Sequence, residues 1–580
     1  MPFPVDPITS EVILNALLSI AEEMNVALVR SAYSTNIKER RDCSCALFDS
    51  YGSLVALAEN IPIHLGSMQG LIHKVCSEPH RWNLKPGDII VANDPYLGGG
   101  SHLPDVTLIK PVFDRNKIVD FVANIAHWTD VGGRTAGVGT AGDSTEIFQE
   151  GMRIPPTKIV KKNVMDKDVM ELMMSNMRNR KEREGDLIAQ ISSLHLGEKR
   201  LKELFREYGE ATIQAVQKEI FNYSEHWLRK TLKDIPEGTF SFTDMMDDDG
   251  ISSAKMPIKV SVILSHKPKP NIIFDFFGTF PQVKGGINMV FQALLATVNY
   301  AVKAIIAPEV PINEGFHRPI RINAPARSLV NASAPAAVGG RTDTCQRVVD
   351  AIMGALVSAV PDRIIAASNG ATTAIIFAGT KSLSGSDFIY VEALGGGMGA
   401  HSSKDGMDGV QVHITNTSNL PIEALEMAYP LRILRYELVP DSGGPGRFRG
   451  GLGILKEIQA LVPVFFSAHS DRHRLAPWGI KGGVSGKTGR FTLHSSWHEP
   501  LRIPSKVSSI KILKNEILRV QTAGGGGYGP PLKRHPAAVQ KDFFQRKISR
   551  AQARKHYGVI FSRSGEIEKK LTNSIRKEMK

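Results

Sequence analysis

The residues best suited to chemistry lie between Asn93 and Gly133. The first group reads Asn93-Asp94-Pro95-Tyr96-Leu97-Gly98-Gly99-Gly100-Ser101-His102-Leu103-Pro104-Asp105, the second Asn124-Ile125-Ala126-His127-Trp128-Thr129-Asp130-Val131-Gly132-Gly133. A His-x-x-Asp pair with a later His offers two imidazoles and one carboxylate. That donor set suits Zn, Mn or Fe and disfavours an all-oxygen calcium cage. With His102, Asp105 and His127 as ligands, positions stay open for water or substrate, the usual catalytic arrangement. Asp130 could orient His127 from outside the coordination sphere. Asp94 could ligate or act as a base, so Asp94 and Asp130 are the candidate catalytic residues. In the competing reading the histidines cap turns and pair with nearby carboxylates, because such spacing also recurs without a metal. The surrounding glycines favour the metal, since they permit close backbone approach to a ligand.

Other motifs carry less. Gly98-Gly99-Gly100 could cradle an anion with backbone N–H groups or form a tight turn. Arg153, Arg178 and Arg341 could clamp a carboxylate or phosphate, or sit in structural ion pairs. Gly482-Gly483-Val484-Ser485-Gly486-Lys487-Thr488 is one residue short of a Walker A loop and has no helix to follow it. No G-x-G-x-x-G opens a βαβ unit, and no G-x-S-x-G occurs. If ATP is used, another polypeptide binds it. Asp247-Asp248-Asp249-Gly250 reads as a hairpin turn, because Met245 stands where a calcium loop needs an acid. Gly395 to Gly397 and Gly524 to Gly529 read as turns. The four cysteines are too scattered for a disulfide framework, and Cys43 and Cys45 read as alternate residues of a strand.

The elements that must position these groups follow from periodicity. Asp6-Pro7 opens a helix whose apolar face is Ile13, Leu17, Ile20, Met24 and Leu28. Ser31 to Arg41 is a polar loop that faces an anionic ligand or water. Cys43 to Leu57, Ile89 to Ala92, Val106 to Ile109 and Ile118 to Ala126 are strands, and the last three border candidate ligands. A helical segment at about 166–233 should comprise two or three helices broken near Gly185, Gly197 and Gly209. Gln292 to Ile306, Gln346 to Val360 and Phe543 to Lys555 are further helices, and about 377–520 is β-rich. The fold class is mixed α/β (α+β): a large multi-lobed chain with a helical insertion and a strand- and glycine-rich C-terminal third. The 580 residues divide into a main region, 1–532, and a basic tail, 533–580. The tail contributes much of the net charge of +13 and is read as a solvated surface rather than a nucleic-acid site. No run approaches the roughly 18 apolar residues of a membrane span. The N-terminus lacks a signal-peptide pattern, so the expected compartment is the cytoplasm.

These residues carry a family resemblance. The chain resembles the hydantoinase B/oxoprolinase family, from about Pro7 to Leu532. The match rests on the two groups above, on Gln149-Glu150-Gly151-Met152-Arg153-Ile154-Pro155-Pro156, on Asn331-Ala332 to Arg341, and on Pro421-Ile422-Glu423. It extends to Asp441-Ser442-Gly443-Gly444-Pro445-Gly446-Arg447-Phe448-Arg449-Gly450-Gly451 and Gly524 to Gly529. The resemblance implies the B-type component of an ATP-dependent hydantoinase or 5-oxoprolinase. Such a component opens a five-membered imide or lactam ring, while a hydantoinase A-type partner binds ATP and activates the substrate. The related acetone carboxylase alpha subunit holds manganese through positions that look like His102, Asp105 and His127. Two alternatives stand beside this reading: an acetone carboxylase-like alpha subunit, and a non-catalytic scaffold subunit with a structural metal.

Overall fold

The computed structural model describes residues 5–58, 60–137, 142–382, 385–496 and 499–579. The first helix, Pro7–Ser31, begins where Asp6 accepts hydrogen bonds from the Ile8 and Thr9 amides, each at 3.0 Å, with Pro7 in the first turn. Its buried face is the one the periodicity predicts: Ile13, Leu17, Ile20, Met24 and Leu28. By length and composition it is the one described helix that could cross a membrane. Here the helix packs against another, Arg180–Tyr208.

Behind these helices lies a seven-stranded sheet of order β2-β1-β5-β4-β3-β6-β7. Its strands are β1 (Cys43–Asp49), β2 (Leu54–Leu57), β3 (Ile89–Ala92), β4 (Asp105–Asp114), β5 (Lys117–His127), β6 (Thr157–Lys161) and β7 (Val164–Met165). Cys43 and Cys45 alternate on β1, as expected of a strand. A second sheet contains β8 (Gly238–Met246), β9 (Met256–Ser265), β10 (Asn271–Asp275) and β11 (Ile320–Asn323). The acidic turn joins β8 to β9 as a hairpin, and Asp247 accepts hydrogen bonds from the His473, Arg474 and Leu475 amides.

The C-terminal third is β-rich, as predicted. It includes β12 (Ala374–Thr380), β13 (Asp387–Ala393), β14 (Leu431–Leu438), β15 (Ile454–Ala460), β16 (Val464–His469), β17 (Arg490–His494), β18 (Leu501–Ile503), β19 (Val507–Ile512) and β20 (Ile517–Gln521). They form a sheet of order β13-β12-β16-β19 and another of order β14-β15-β20-β17-β18. The helix Arg341–Leu356, all of whose residues are buried, runs through the interior of the molecule. It starts five residues before the predicted Gln346.

The structure departs from the sequence reading in four places. The helix Arg180–Tyr208 runs unbroken through Gly185 and Gly197 and ends at Gly209. A Cβ at Gly185 would enter the Tyr33 ring, and one at Gly197 would meet the Met24 sulfur. These glycines let the first helix and the residues after it approach closely, and packing outweighs their poor helix propensity. Ser31 to Arg41 is not a plain polar loop: it contains a helical turn, Thr35–Lys38, and buries Asn36 and Arg40. The Gly395–Gly397 and Gly524–Gly527 runs are not tight turns, since none of these residues has positive φ. They are segments packed backbone to backbone.

The basic tail is the fourth departure. It is docked on the main body and carries the helices Pro536–Phe544, Arg550–Tyr557 and Lys569–Glu578. Val539, Ile548, Ala553, Tyr557 and Val559 form a small core there. Arg534 is 2.6 Å from Asp405 and 2.7 Å from Asp542. The predicted helix from Phe543 to Lys555 is therefore two helices, separated by a turn in which Arg546 has a φ of 57°.

Candidate metal centre

The antiparallel hairpin β4–β5 brings distant residues side by side, so that Asp105 and His127 are direct Cα partners at its open end. His102 lies in the loop entering β4. One donor atom from each of His102, Asp105 and His127 lies within 4.8 Å of the other two. His102 Nε2 is 3.1 Å from Asp105 Oδ1, and the two imidazole centroids are 5.0 Å apart. Both nitrogens of His102 and Asp105 Oδ1 are buried and make no well-aligned hydrogen bond among the described residues, the 3.1 Å approach of Nε2 to Oδ1 included. Buried polar atoms are normally satisfied, so such a cluster of orphans needs an explanation. A shared divalent cation would provide one, and this donor set fits it.

The supports of the cluster are well defined. Asp105 Oδ2 accepts from Ser101 Oγ at 2.8 Å and from Arg341 Nη2 at 2.9 Å. Arg341 Nε also donates to Ser101 Oγ, at 2.9 Å. Of the two roles open to Arg341 from sequence, substrate clamp or structural pair, the structure shows the second: it holds the candidate ligand. Gly100, at φ 145°, lies beside Asp105, and a Cβ there would stand 2.7 Å from the Asp105 carbonyl oxygen. Asn36 Nδ2 is 3.1 Å from His127 Nδ1 and donates to the His127 carbonyl at 2.9 Å, fixing the ring.

Asp94 and Asp130 are placed differently from the metal trio. Asp94 caps the turn at Tyr96 and pairs with Arg153 at 2.7 Å. Asp130 accepts from the Gly132, Gly137 and Arg178 amides at 2.8–2.9 Å and pairs with the Arg178 side chain at 3.2 Å. The polar contact on the His127 ring comes from Asn36 rather than Asp130. Neither acid lines the cavity beside the trio. Each locks its own loop, using an arginine that the sequence offers as an anion clamp.

That cavity offers about 60 Å³ of water-accessible space and is partly open. It is lined by the trio and Arg341 and also by Thr372, Val391, Thr417 and His469. Arg40, Asp42 and His64 complete the wall. Arg40 donates to Asn36 Oδ1 at 2.8 Å and to the Val391 carbonyl at 2.7 Å, joining the segment before β1 to β13. His64 Nε2 is 3.8 Å from Asp105 Oδ1, and its Nδ1 is 3.0 Å from Ser44 Oγ. Asp42, His64 and His469 are not legible as site residues in the sequence. They are isolated in the chain and lack a fixed spacing to the trio; the adjacency of Asp42 to Arg40 and Arg41 is the only local signal.

Burial and the nearby Arg341 guanidinium push His102 down to about 4, and burial beside His102 puts His127 well below its usual range. Burial works to raise the Asp105 carboxyl, but His102 and Arg341 outweigh it and hold it well below normal. The imidazoles are thus neutral and the carboxylate ionised at neutral pH, the protonation states a metal requires. A histidine with a lowered folded-state pKa disfavours the folded state as pH falls from 6.5 toward that value. The metal-free protein should therefore lose about 2 kcal/mol from His102 alone between pH 6.5 and 5. Urea midpoints measured across that interval should fall, and His102→Asn should make the fall shallower.

This chain belongs to the hydantoinase B/oxoprolinase family, whose sequence profile matches residues 6–531. It is 33% identical over 589 residues to the B-type component of a putative D-/L-hydantoinase from Pseudomonas sp. (strain NS671), covering 99% of this chain and 98% of that protein. It is 36% identical over 533 residues to the 5-oxoprolinase of Dictyostelium discoideum, covering 90% of this chain but 40% of that longer protein. The fold matches the crystal structure of an ATP-dependent caprolactamase from Pseudomonas jessenii with a TM-score of 0.90 and 29% identity, over 99% of this chain and 100% of that one. An acetone carboxylase structure shares the fold at a TM-score of 0.90 and 18% identity, over 99% of this chain and 83% of that one.

Proposed function

We propose that this chain is the ring-opening component of an ATP-dependent cyclic amidohydrolase of the hydantoinase/5-oxoprolinase type. His102, Asp105 and His127 hold a divalent metal, with Mn, Zn and Fe as candidates. A hydantoinase A-type partner binds ATP in a cytoplasmic hetero-oligomer, and the substrate is a small cyclic amide or imide. The observation that carries this reading is the trio of buried ligand side chains, with its orphaned atoms, at the end of β4–β5. The full-length likeness to a hydantoinase component and to a caprolactamase supports the reaction class. The B-type naming of the Pseudomonas relative, which this chain matches over 98% of its length, supports a separate A-type partner.

When bound, the metal supplies Lewis acidity to a carbonyl or lowers the pKa of a water. Arg341 and Ser101 keep Asp105 ionised and fixed in place. Asn36 fixes the His127 ring. Arg40 places a buried cation on the cavity wall, where negative charge develops as a carbonyl is attacked.

The test pairs metal analysis of wild type and His102→Ala with reconstitution. The partner is an ATP-binding A-type chain, and the probes are 5-oxoproline, hydantoin and caprolactam. One metal per chain, lost in the variant together with ATP-dependent ring opening, is the expected result. Ring opening at the wild-type rate by a metal-free His102→Ala complex would overturn the proposal.

A further inference from the structure

The cavity holds a further histidine. His469, the last residue of β16, pairs in register with Ala374 of β12, and both line the same cavity as the trio. Its Nδ1 lies 2.9 Å from Asp343 Oδ2. Asp343 is fully buried and held in turn by the Thr372 amide at 2.9 Å on its other oxygen. An ionised carboxylate at Nδ1 selects the tautomer with a proton there and leaves a lone pair on Nε2. Among the described residues the hydrogen bond of this ring is the one at Nδ1, so that Nε2 lone pair is uncommitted. Asp343 and Arg341 share the first turn of the helix Arg341–Leu356, so one helix end orients His469 and braces Asp105.

We infer that His469 is the proton-transfer residue of the ring-opening reaction and that Asp343 is its positioning residue. This rests on the amidohydrolase reading above. Nε2 takes a proton from the attacking water as the water oxygen bonds to the ring carbonyl carbon. The partner's ATP has phosphorylated the ring carbonyl oxygen, so the attacked carbon carries that phosphoryl group. The imidazolium gives its proton to the ring nitrogen, the C–N bond breaks with its electron pair on nitrogen, and an amine and an acyl phosphate form. A second water then displaces the phosphate, so that cyclic amide, ATP and two waters become one ring-opened product with a carboxyl and an amine, ADP and phosphate. Asp343 keeps its charge throughout and stabilises the imidazolium, as an acid behind a catalytic histidine does.

The experiment uses the complex reconstituted with its ATP-binding partner, on the same three probes. His469→Gln should keep its metal and thermal midpoint while kcat falls by about 10²–10⁴-fold, the usual contribution of a general base. Asp343→Asn should lower kcat with KM unchanged. If His469→Gln loses its metal or fails to fold, His469→Asn takes its place, since its amide can still donate to Asp343. A metal-replete variant at position 469 with kcat within about threefold of wild type, far short of a general base's contribution, overturns this assignment and leaves the amidohydrolase reading intact. A wild-type complex that opens none of the rings overturns both.

Discussion

Asp105→Asn is expected to bind no metal at micromolar concentration and to be the least stable of the single-site variants of the centre. The reason is the number of groups arranged around one carboxylate. Asp105 is fully buried, accepts from Ser101 and Arg341, and lies 3.1 Å from His102. Substitution removes a ligand charge and also leaves the buried Arg341 guanidinium uncompensated. Breaking a buried ion pair from one side costs about 3–5 kcal/mol, mostly through the charge left behind. Arg341→Met should be milder for binding, lowering metal affinity about 10–100-fold as loss of an outer support does. The double variant Asp105→Asn/Arg341→Met should recover part of the stability while remaining unable to bind metal. Calorimetric metal titration and urea midpoints on the four proteins read the two effects separately. If the double variant is as unstable as the sum of the singles, the two residues are not energetically coupled and Arg341 does not brace Asp105.

The same region shows which parts of a site can be read from a chain. His102, Asp105 and His127 are legible because one hairpin converts a local spacing into a contact. The brace on Asp105 comes from Arg341, 236 residues away, and the Asp343–His469 pair spans 126 residues. Arg341 looks like an anion clamp in the sequence, and it is one, but its anion is Asp105, the protein's own candidate ligand. Asp94 and Asp130 are equally visible, yet an acid beside a glycine turn has the same appearance whether it faces a ligand or its own loop. Only tertiary structure shows that Arg153 and Arg178 close onto them. The helix through Gly185 and Gly197 is hidden for a related reason: whether a glycine breaks a helix or admits a neighbour depends on Tyr33 and Met24, which lie far away in the chain.

Glycine also sets the largest expected stability effect. Gly397→Ala is expected to yield no folded protein at about 37 °C, with a destabilisation above about 4 kcal/mol. A Cβ there would overlap the Gly451 carbonyl and the Gly525 amide nitrogen. The three segments are joined by hydrogen bonds from Gly397 N to Ala523 O at 3.0 Å, Gly451 N to Met398 O at 2.8 Å and Gly525 N to Gly451 O at 2.9 Å. Because the obstruction is backbone on both sides, no side chain can rotate away, and relief would break those bonds in the interior. Ordinary overpacking costs about 1–3 kcal/mol because side chains yield; this layer lacks that freedom. The cavity wall is close in sequence, since Ala393 lines it shortly before Gly397. Gly209→Ala is the control: its φ of 80° and ψ of 151° lie in a region that essentially only glycine adopts, but nothing lies within 4 Å of the added methyl, so it should cost about 1–3 kcal/mol of backbone strain alone. Thermal midpoints and soluble yield of the two variants distinguish crowding from strain. A Gly397→Ala protein that melts no lower than Gly209→Ala would show that the layer can separate, and that its glycines are tolerated rather than required.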